Sequence, residues 1–161
     1  MTTLALVTLA QAADAREIAE MSRDLIEGGL IWAWTPGRVL QSIASKDSSV
    51  IVTRRERRIA AFAMMHFGDD TAHLNLLAVA APYRRQGLGR QLLVDALSRA
   101  VSAVEIVSGR YIVVDAIDED AVAFYRRYGF TRLPAPSASR LIMKSSDASA
   151  SLVARPPAGE V

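Results

Sequence analysis

Cysteine is absent from this chain, which excludes a disulfide framework, a thiolate zinc site and a cysteine nucleophile. Lysine is nearly absent as well: of 19 basic residues, Lys46 and Lys144 are the two lysines and the rest are arginine. Long apolar runs are also missing. Arg, Asp or Gly interrupts every stretch well short of the roughly 18 to 20 residues that cross a bilayer. The first residues carry no basic segment and soon reach Asp14 and Arg16, so they make a poor signal peptide. A cytoplasmic protein with no membrane partner is expected. The net charge of +2 is small, which gives little reason to expect a polyanionic partner.

What is present has ordinary globular composition: 161 residues, 51% hydrophobic and 22% charged, enough for one core. We read one domain over residues 1–144. Residues 145–161, rich in Ser and Ala with a Pro-Pro pair and no periodicity, read as a disordered tail.

Hydrophobic period gives alternating strands and helices. Leu4 to Leu9 reads as a strand and Ala12 to Ser22 as a helix. Thr35-Pro36 is a helix start, an N-cap hydroxyl before a proline whose missing N–H costs nothing in the first turn. The helix it opens, Pro36 to Ala44, would bury Val39, Leu40 and Ile43. Strands at Ser49–Thr53, Ile59–Phe67 and Thr71–Val79 are joined by Arg54–Arg58 and Gly68–Asp70, connections so short that the pairing must be antiparallel. From Leu88 to Ala103 the period is helical, with Leu88, Leu92, Leu93, Leu97 and Ala100 on one face. Tyr111 to Ile117 reads as a strand buried on both sides. A short helix follows, capped by the acidic residues Asp118 to Asp120 and stopped at Gly129. Ser139 to Met143 is the last strand.

The most specific segment is Val79-Ala80-Ala81-Pro82-Tyr83-Arg84-Arg85-Gln86-Gly87-Leu88-Gly89-Arg90, between a strand and an amphipathic helix. Its glycines let the backbone turn sharply and approach a ligand. The first N–H groups of the helix make an anion site suited to a pyrophosphate, and Arg84, Arg85 and Arg90 add positive charge. A P-loop is excluded because no G-x-x-x-x-G-K-[S/T] occurs. A dinucleotide fingerprint is excluded because Leu92 stands where a third Gly or Ala is needed. The pattern left is [Q/R]-x-x-G-x-[G/A].

With that pattern, and with Leu77-Ala78-Val79 before it, the chain resembles the GCN5-related N-acetyltransferase (GNAT) superfamily. A second match lies about thirty residues on, where Asp118 to Phe130 resembles the family's N-x-x-A-x-x-[F/L]-Y-x-x-x-G-F, with Asp118 in place of the usual Asn. The resemblance covers roughly Ser49 to Met143. It implies a mixed α/β (α+β) fold: a mostly antiparallel central sheet flanked by helices, with a splay between two parallel strands that holds acetyl-CoA.

The resemblance also implies site residues. Arg84, Arg85, Gln86, Gly87, Leu88, Gly89 and Arg90 would hold the pyrophosphate, Leu77, Ala78 and Val79 the pantetheine, and Asp118 and Tyr125 complete the cofactor set. Tyr125 stands at the position of the general acid that meets the departing thiolate. A phenol suits that task, because its ordinary pKa near 10 keeps it protonated at neutral pH. The alternative is a core aromatic at helical spacing with Phe124 and Tyr128. For the base, strand alternation puts His73, Asn75, Leu77 and Val79 on one face. Arylalkylamine N-acetyltransferases carry His-x-His where this chain has His73-x-Asn75. His73 is the candidate, with Glu27, Asp69, Asp70 and water as rivals.

Trp32, Trp34 and Asn75 are the acceptor-side candidates, and the same tryptophans read equally as anchors in a core. The implied activity is direct transfer of acetyl from acetyl-CoA to a primary amine of a small molecule or of a protein or peptide N-terminus, with no metal. Val113-Val114-Asp115-Ala116 with Phe124-Tyr125 resembles acetyltransferase toxins that act on aminoacyl-tRNA, which leaves tRNA open as an acceptor. Trp34-Thr35-Pro36 resembles bacterial enzymes related to ribosomal-protein alanine N-acetyltransferase. A non-catalytic acyl-CoA sensor is the reading from another class. Homodimers are common in the superfamily, so a homodimer is one expected assembly.

Overall fold

The computed structural model describes residues 6–107, 111–136 and 139–154, with the backbone alone for 104–107 and 151–154. Seven strands, β1 (Val7–Leu9), β2 (Ser48–Arg55), β3 (Arg58–Phe67), β4 (Thr71–Val79), β5 (Tyr111–Asp115), β6 (Thr131–Arg132) and β7 (Arg140–Lys144), form one sheet in the order β1-β2-β3-β4-β5-β7-β6. The helices are α1 (Ala15–Leu25), α2 (Pro36–Ala44), α3 (Leu88–Val107), α4 (Glu119–Arg127) and α5 (Ser145–Ala154). This is the expected mixed, mostly antiparallel sheet flanked by helices. Contacts gather into two compact units, residues 1–65 with 76–96 and residues 66–75 with 97–161. Among the described residues no helix is long and apolar enough to cross a membrane.

In the first unit, β1 pairs antiparallel with β2. It begins at Val7, later than the sequence indicated, and residues 1–5 of that expectation lie outside the described residues. The helix expected from Ala12 opens instead as a 3-10 turn over Ala12–Asp14. The Asp14 carboxylate explains the turn: it accepts the Gln11 N–H at 2.8 Å and pairs with Arg54 of β2 at 2.6 Å. Burial pushes its pKa up, but the Arg54 and Gln11 hydrogen bonds outweigh burial and hold the carboxyl below its ordinary range. Thr35 caps α2 in an extended conformation, yet through its carbonyl, which accepts from Val39, and without a capping bond from its hydroxyl. Val39 is buried there, whereas Leu40, expected inside, is 43% exposed. The core of this unit brings Ile18 and Ala19 of α1 and Val39 of α2 against Val52, Phe62 and Leu76 of the sheet.

The polar connection between β2 and β3 shrinks to Glu56 and Arg57, both at positive φ (+52° and +70°). A two-residue turn with both residues left-handed matches the twist of the strands, and Asn-Gly fits it best. Replacing Glu56 by Asn together with Arg57 by Gly is therefore expected to stabilise the protein by about 1 kcal/mol. Thermal unfolding should show a midpoint raised by roughly 2–4 °C.

In the second unit, Gly68 N–H donates to the Thr71 carbonyl at 2.8 Å and closes the turn into β4. β4 and β5 pair in parallel from Thr71↔Tyr111 to Leu74↔Val114. The paired stretch ends close to the end of β5, and β4 continues to Val79. β5 stops at Asp115, two residues short of the expected strand, and Ile117 beyond it is 58% exposed. Within β5, Ile112, Val113 and Val114 are buried on both faces as anticipated.

Asp118 caps α4 by accepting the Ala121 N–H at 2.8 Å. The helix stops at Gly129 (φ +99°) in a two-bond closure: Phe130 N–H donates to the Tyr125 carbonyl and Gly129 N–H to the Arg126 carbonyl. β6 had no sequence signal, being two residues long. The disordered tail is corrected over Ser145–Ala154, which forms α5 against β7 with Ala148 fully buried. Small residues there let a helix lie close to a strand without any apolar stripe that periodicity could detect. The rest of that expectation, residues 155–161, lies outside the described residues.

Candidate active site

The glycine segment belongs to the first unit. After β4 a 3-10 turn (Ala81–Tyr83) leads to Arg85 at φ +65° and Gly87 at φ +80°, and α3 starts at Leu88. Gln91 N–H donates to the Gly87 carbonyl at 3.1 Å, the first bond of the helix. The preceding N–H groups, from Leu88 to Arg90, have no intrahelical acceptor by geometry. Left-handed residues just before a helix N-terminus form a concave nest of N–H groups, which binds anions. No acidic residue lies in the first turn. Arg84, Arg85, Gln86 and Arg90 are exposed; Arg84 Nε donates to the Val79 carbonyl at 3.2 Å, and Arg85 and Arg90 have no ion pair among the described residues. Uncompensated cations at a positive helix end are unfavourable by themselves and become favourable when an anion sits among them. Leu88 is the exception in this set: it is buried and anchors the helix start.

The same unit holds the loop that carries Trp32 and Trp34. Glu27 is 7% exposed. Its Oε2 accepts from Ser22 Oγ at 2.9 Å, and its Oε1 accepts the N–H groups of Ala33 at 2.7 Å and Trp34 at 3.2 Å. Both oxygens are thus committed to holding the loop, and Glu27 is a poor rival for the base. Trp32 Nε1 donates to the Ala19 carbonyl at 3.2 Å, and both tryptophans pack half-buried against the core. The Arg23 and Arg38 guanidinium groups lie 5.3 and 4.3 Å from the Trp32 and Trp34 ring centroids. Leu30 and Ile31 at the loop's tip are exposed. A cavity of about 380 Å³, between α1 and the Ala81–Tyr83 turn, is lined by Glu17, Glu20, Asp24 and Arg58 with Met21, Leu25 and Tyr83. Sequence reading missed it, although the three acids recur at helical spacing.

In the second unit Tyr125 is 6% exposed. Its ring meets Phe124 and Phe130 edge to face, with centroids 5.2 and 5.6 Å apart. Burial pushes its phenol well above the ordinary tyrosine value. The hydroxyl makes no hydrogen bond among the described residues. The ring is thus packed as the core-aromatic reading expects, while the hydroxyl is unspent.

β4 alternates as expected: Ala72, Leu74, Leu76 and Ala78 are buried, while His73, Asn75, Leu77 and Val79 are half-buried. Asn75 Oδ1 is buried without a hydrogen-bond partner among the described residues. His73 Nε2 lies 3.1 Å from Asp115 Oδ2, a contact that sequence reading did not foresee because it depends on strand register. Asp69 and Asp70 are exposed in the turn before β4. The Asp118 carboxylate is occupied as a helix cap.

Comparisons agree with this architecture. A tRNA-acetylating toxin of Mycobacterium tuberculosis is 30% identical, over 69% of this chain and 78% of the toxin. The PaiA N-acetyltransferase of Thermoplasma acidophilum, solved with coenzyme A, superposes with a TM-score of 0.72 at 13% identity, over 88% of this chain and 99% of that one. A tyrosine-to-phenylalanine mutant of the toxin AtaT, solved with acetyl-CoA and the C-terminus of the antitoxin AtaR, gives 0.68 at 18% identity, over 90% and 96%. Residues 33–142 match the acetyltransferase (GNAT) domain family, and with the toxin relative in agreement, the chain belongs to that family.

Proposed function

We propose that this protein transfers an acetyl group from acetyl-CoA to a primary amine, and that the amine is the α-amino group of an aminoacyl-tRNA. The observation that carries the second half is the 30% identity to a tRNA-acetylating toxin. The nest at Arg85–Gly87 fits a pyrophosphate, and the pantetheine arm is assigned to Leu77–Val79, the end of β4 that leads into the nest.

Acetyl-CoA supplies the activated thioester. Backbone N–H groups of Arg85 to Arg90 bind its phosphates, with Arg84, Arg85 and Arg90 adding charge. His73 takes the proton that the acceptor amine loses as its nitrogen bonds to the acetyl carbon. Asn75, on the same face of β4 as His73, helps to orient the amine. Tyr125 donates to the sulfur as the C–S bond breaks and its electron pair moves onto sulfur. With a pKa raised by burial, the phenol stays protonated and acts chiefly by donating a hydrogen bond to the developing charge. The proton held by His73 then returns to water.

The acceptor is identified by incubating the protein with radiolabelled acetyl-CoA and total tRNA charged with mixed amino acids. Label should appear in the acid-precipitable fraction and be released by mild base, which cleaves the aminoacyl ester. A second reading is favoured by the cavity whose three acids outnumber its one arginine, Arg58, a balance that suits a small cationic amine. Turnover on a panel of such amines, with none on charged tRNA, would select it. Tight acetyl-CoA binding without turnover on any acceptor would select a sensor.

Gly87 tests the nest. A Cβ there would meet nothing within 4 Å, but the φ of +80° is one a β-branched residue rarely adopts. Gly87→Val is expected to distort the nest and raise the acetyl-CoA dissociation constant by about tenfold or more. Calorimetric titration checks this, and unchanged affinity would remove the loop from the site.

A further inference from the structure

The contact between His73 and Asp115 belongs to a larger arrangement. Arg140 donates to both oxygens of the same carboxylate, Nε to Oδ1 at 2.9 Å and Nη2 to Oδ2 at 3.0 Å. The three side chains come from adjacent strands of the second unit. His73 is in register with Val113, Asp115 lies two residues further along β5, and Arg140 stands directly across from Asp115 on β7. The period of two puts Val113 and Asp115 on the same face, so two independent registers, one parallel and one antiparallel, bring these groups together. The Asp115 side chain is 43% exposed and that of His73 33%. Neither is walled off from a substrate.

The chemistry of this row sets the state of the imidazole. The Arg140 fork, opposed by partial loss of water and helped by His73, holds the Asp115 carboxyl below its ordinary range. An ionised carboxylate only accepts hydrogen bonds. The ring nitrogen that faces it, Nε2, must therefore carry a hydrogen, and in the neutral ring the lone pair is left on Nδ1.

We propose that Asp115 is a positioning residue for the reaction: it holds His73 in the Nε2–H tautomer so that Nδ1 receives the proton of the acceptor amine, and Arg140 fixes the carboxylate in place. The inference rests on the reading of His73 as base. When Nδ1 takes the proton the ring becomes an imidazolium, and its charge is matched by Asp115. Arg140, already paired with the carboxylate, keeps Asp115 from taking a proton itself. The alternative is that the row merely staples three strands together.

The chain has two histidines, so a His66→Gln variant assigns the His73 signals in long-range proton–nitrogen correlation spectra. In the wild-type protein, neutral His73 should show the Nε2–H pattern, and an Nδ1–H pattern there would overturn the proposal without any variant at position 115. Asp115→Asn should scramble the tautomer and lower kcat at least about tenfold, with the acetyl-CoA KM within twofold and partial rescue by Asp115→Glu. On a His73→Gln background, Asp115→Asn should cost nothing further. Full activity of His73→Gln would overturn the base reading itself. An inactive His73→Gln beside an Asp115→Asn of wild-type kcat would leave that reading standing and reduce Asp115 to a staple.

Discussion

Tyr125→Phe is expected to lower kcat by about 100-fold while leaving the melting temperature and acetyl-CoA affinity nearly unchanged. The two halves of the expectation follow from two halves of the side chain. The ring is 6% exposed and meets Phe124 and Phe130 edge to face, and phenylalanine preserves all of that packing. The hydroxyl has no hydrogen-bond partner among the described residues, so its loss leaves no buried group unsatisfied. A structural tyrosine would show the reverse, since removing a bonded hydroxyl costs about 1 kcal/mol. Steady-state kinetics and a thermal melt on the same preparation separate the cases. Wild-type kcat in the variant would exclude Tyr125 from the chemistry.

Glu27→Ala is expected to destabilise the protein by about 3 kcal/mol and to impair acceptor binding more than acetyl-CoA binding. The carboxyl group accepts from Ser22 Oγ and from the backbone N–H groups of Ala33 and Trp34. Alanine leaves these donors without their acceptor, Ser22 in a fully buried position and the two N–H groups in partly buried ones. Those two N–H groups fix the path of the loop carrying Trp32 and Trp34, so the loop should loosen even when the fold survives. Glu27→Gln is the control: its amide oxygen still accepts both N–H groups and its NH2 can donate to Ser22, for a loss of about 1 kcal/mol. Denaturant melts of both variants, with KM measured for each substrate, test this. An equal rise in both KM values would mean that Glu27 supports the whole unit and not the loop in particular.

Much of the fold was legible because its signals are local. The alternation in Thr71–Val79, the Gly-x-Gly at a helix start and the glycine stop at Gly129 each depend on a few neighbouring residues, and each lies where it was expected. What escaped was long-range or lacked pattern. The Asp115 row requires two strand registers, and no single segment encodes either. α5 buries one alanine among serines, so no apolar period announces it. Leu40 matched the helical period of α2 and is nevertheless 43% exposed, because the face buried there is narrower than the apolar face of the sequence. For the site, residue types pointed to His73 and Tyr125. Only the fold separates the packed ring of Tyr125 from its unspent hydroxyl and makes Glu27 a loop clamp.

The end of α4 puts that tyrosine in an unusual position. Its carbonyl accepts the N–H groups of both Tyr128 and Phe130, and its ring rests against Phe130. The signal that stops the helix and the coordinate that aims the hydroxyl are thus one message, written in Tyr-Arg-Arg-Tyr-Gly-Phe. Lengthening α4 by a residue would erase the address of the phenol together with the full stop, so this stretch can be copied into another protein of the same fold only as a whole word.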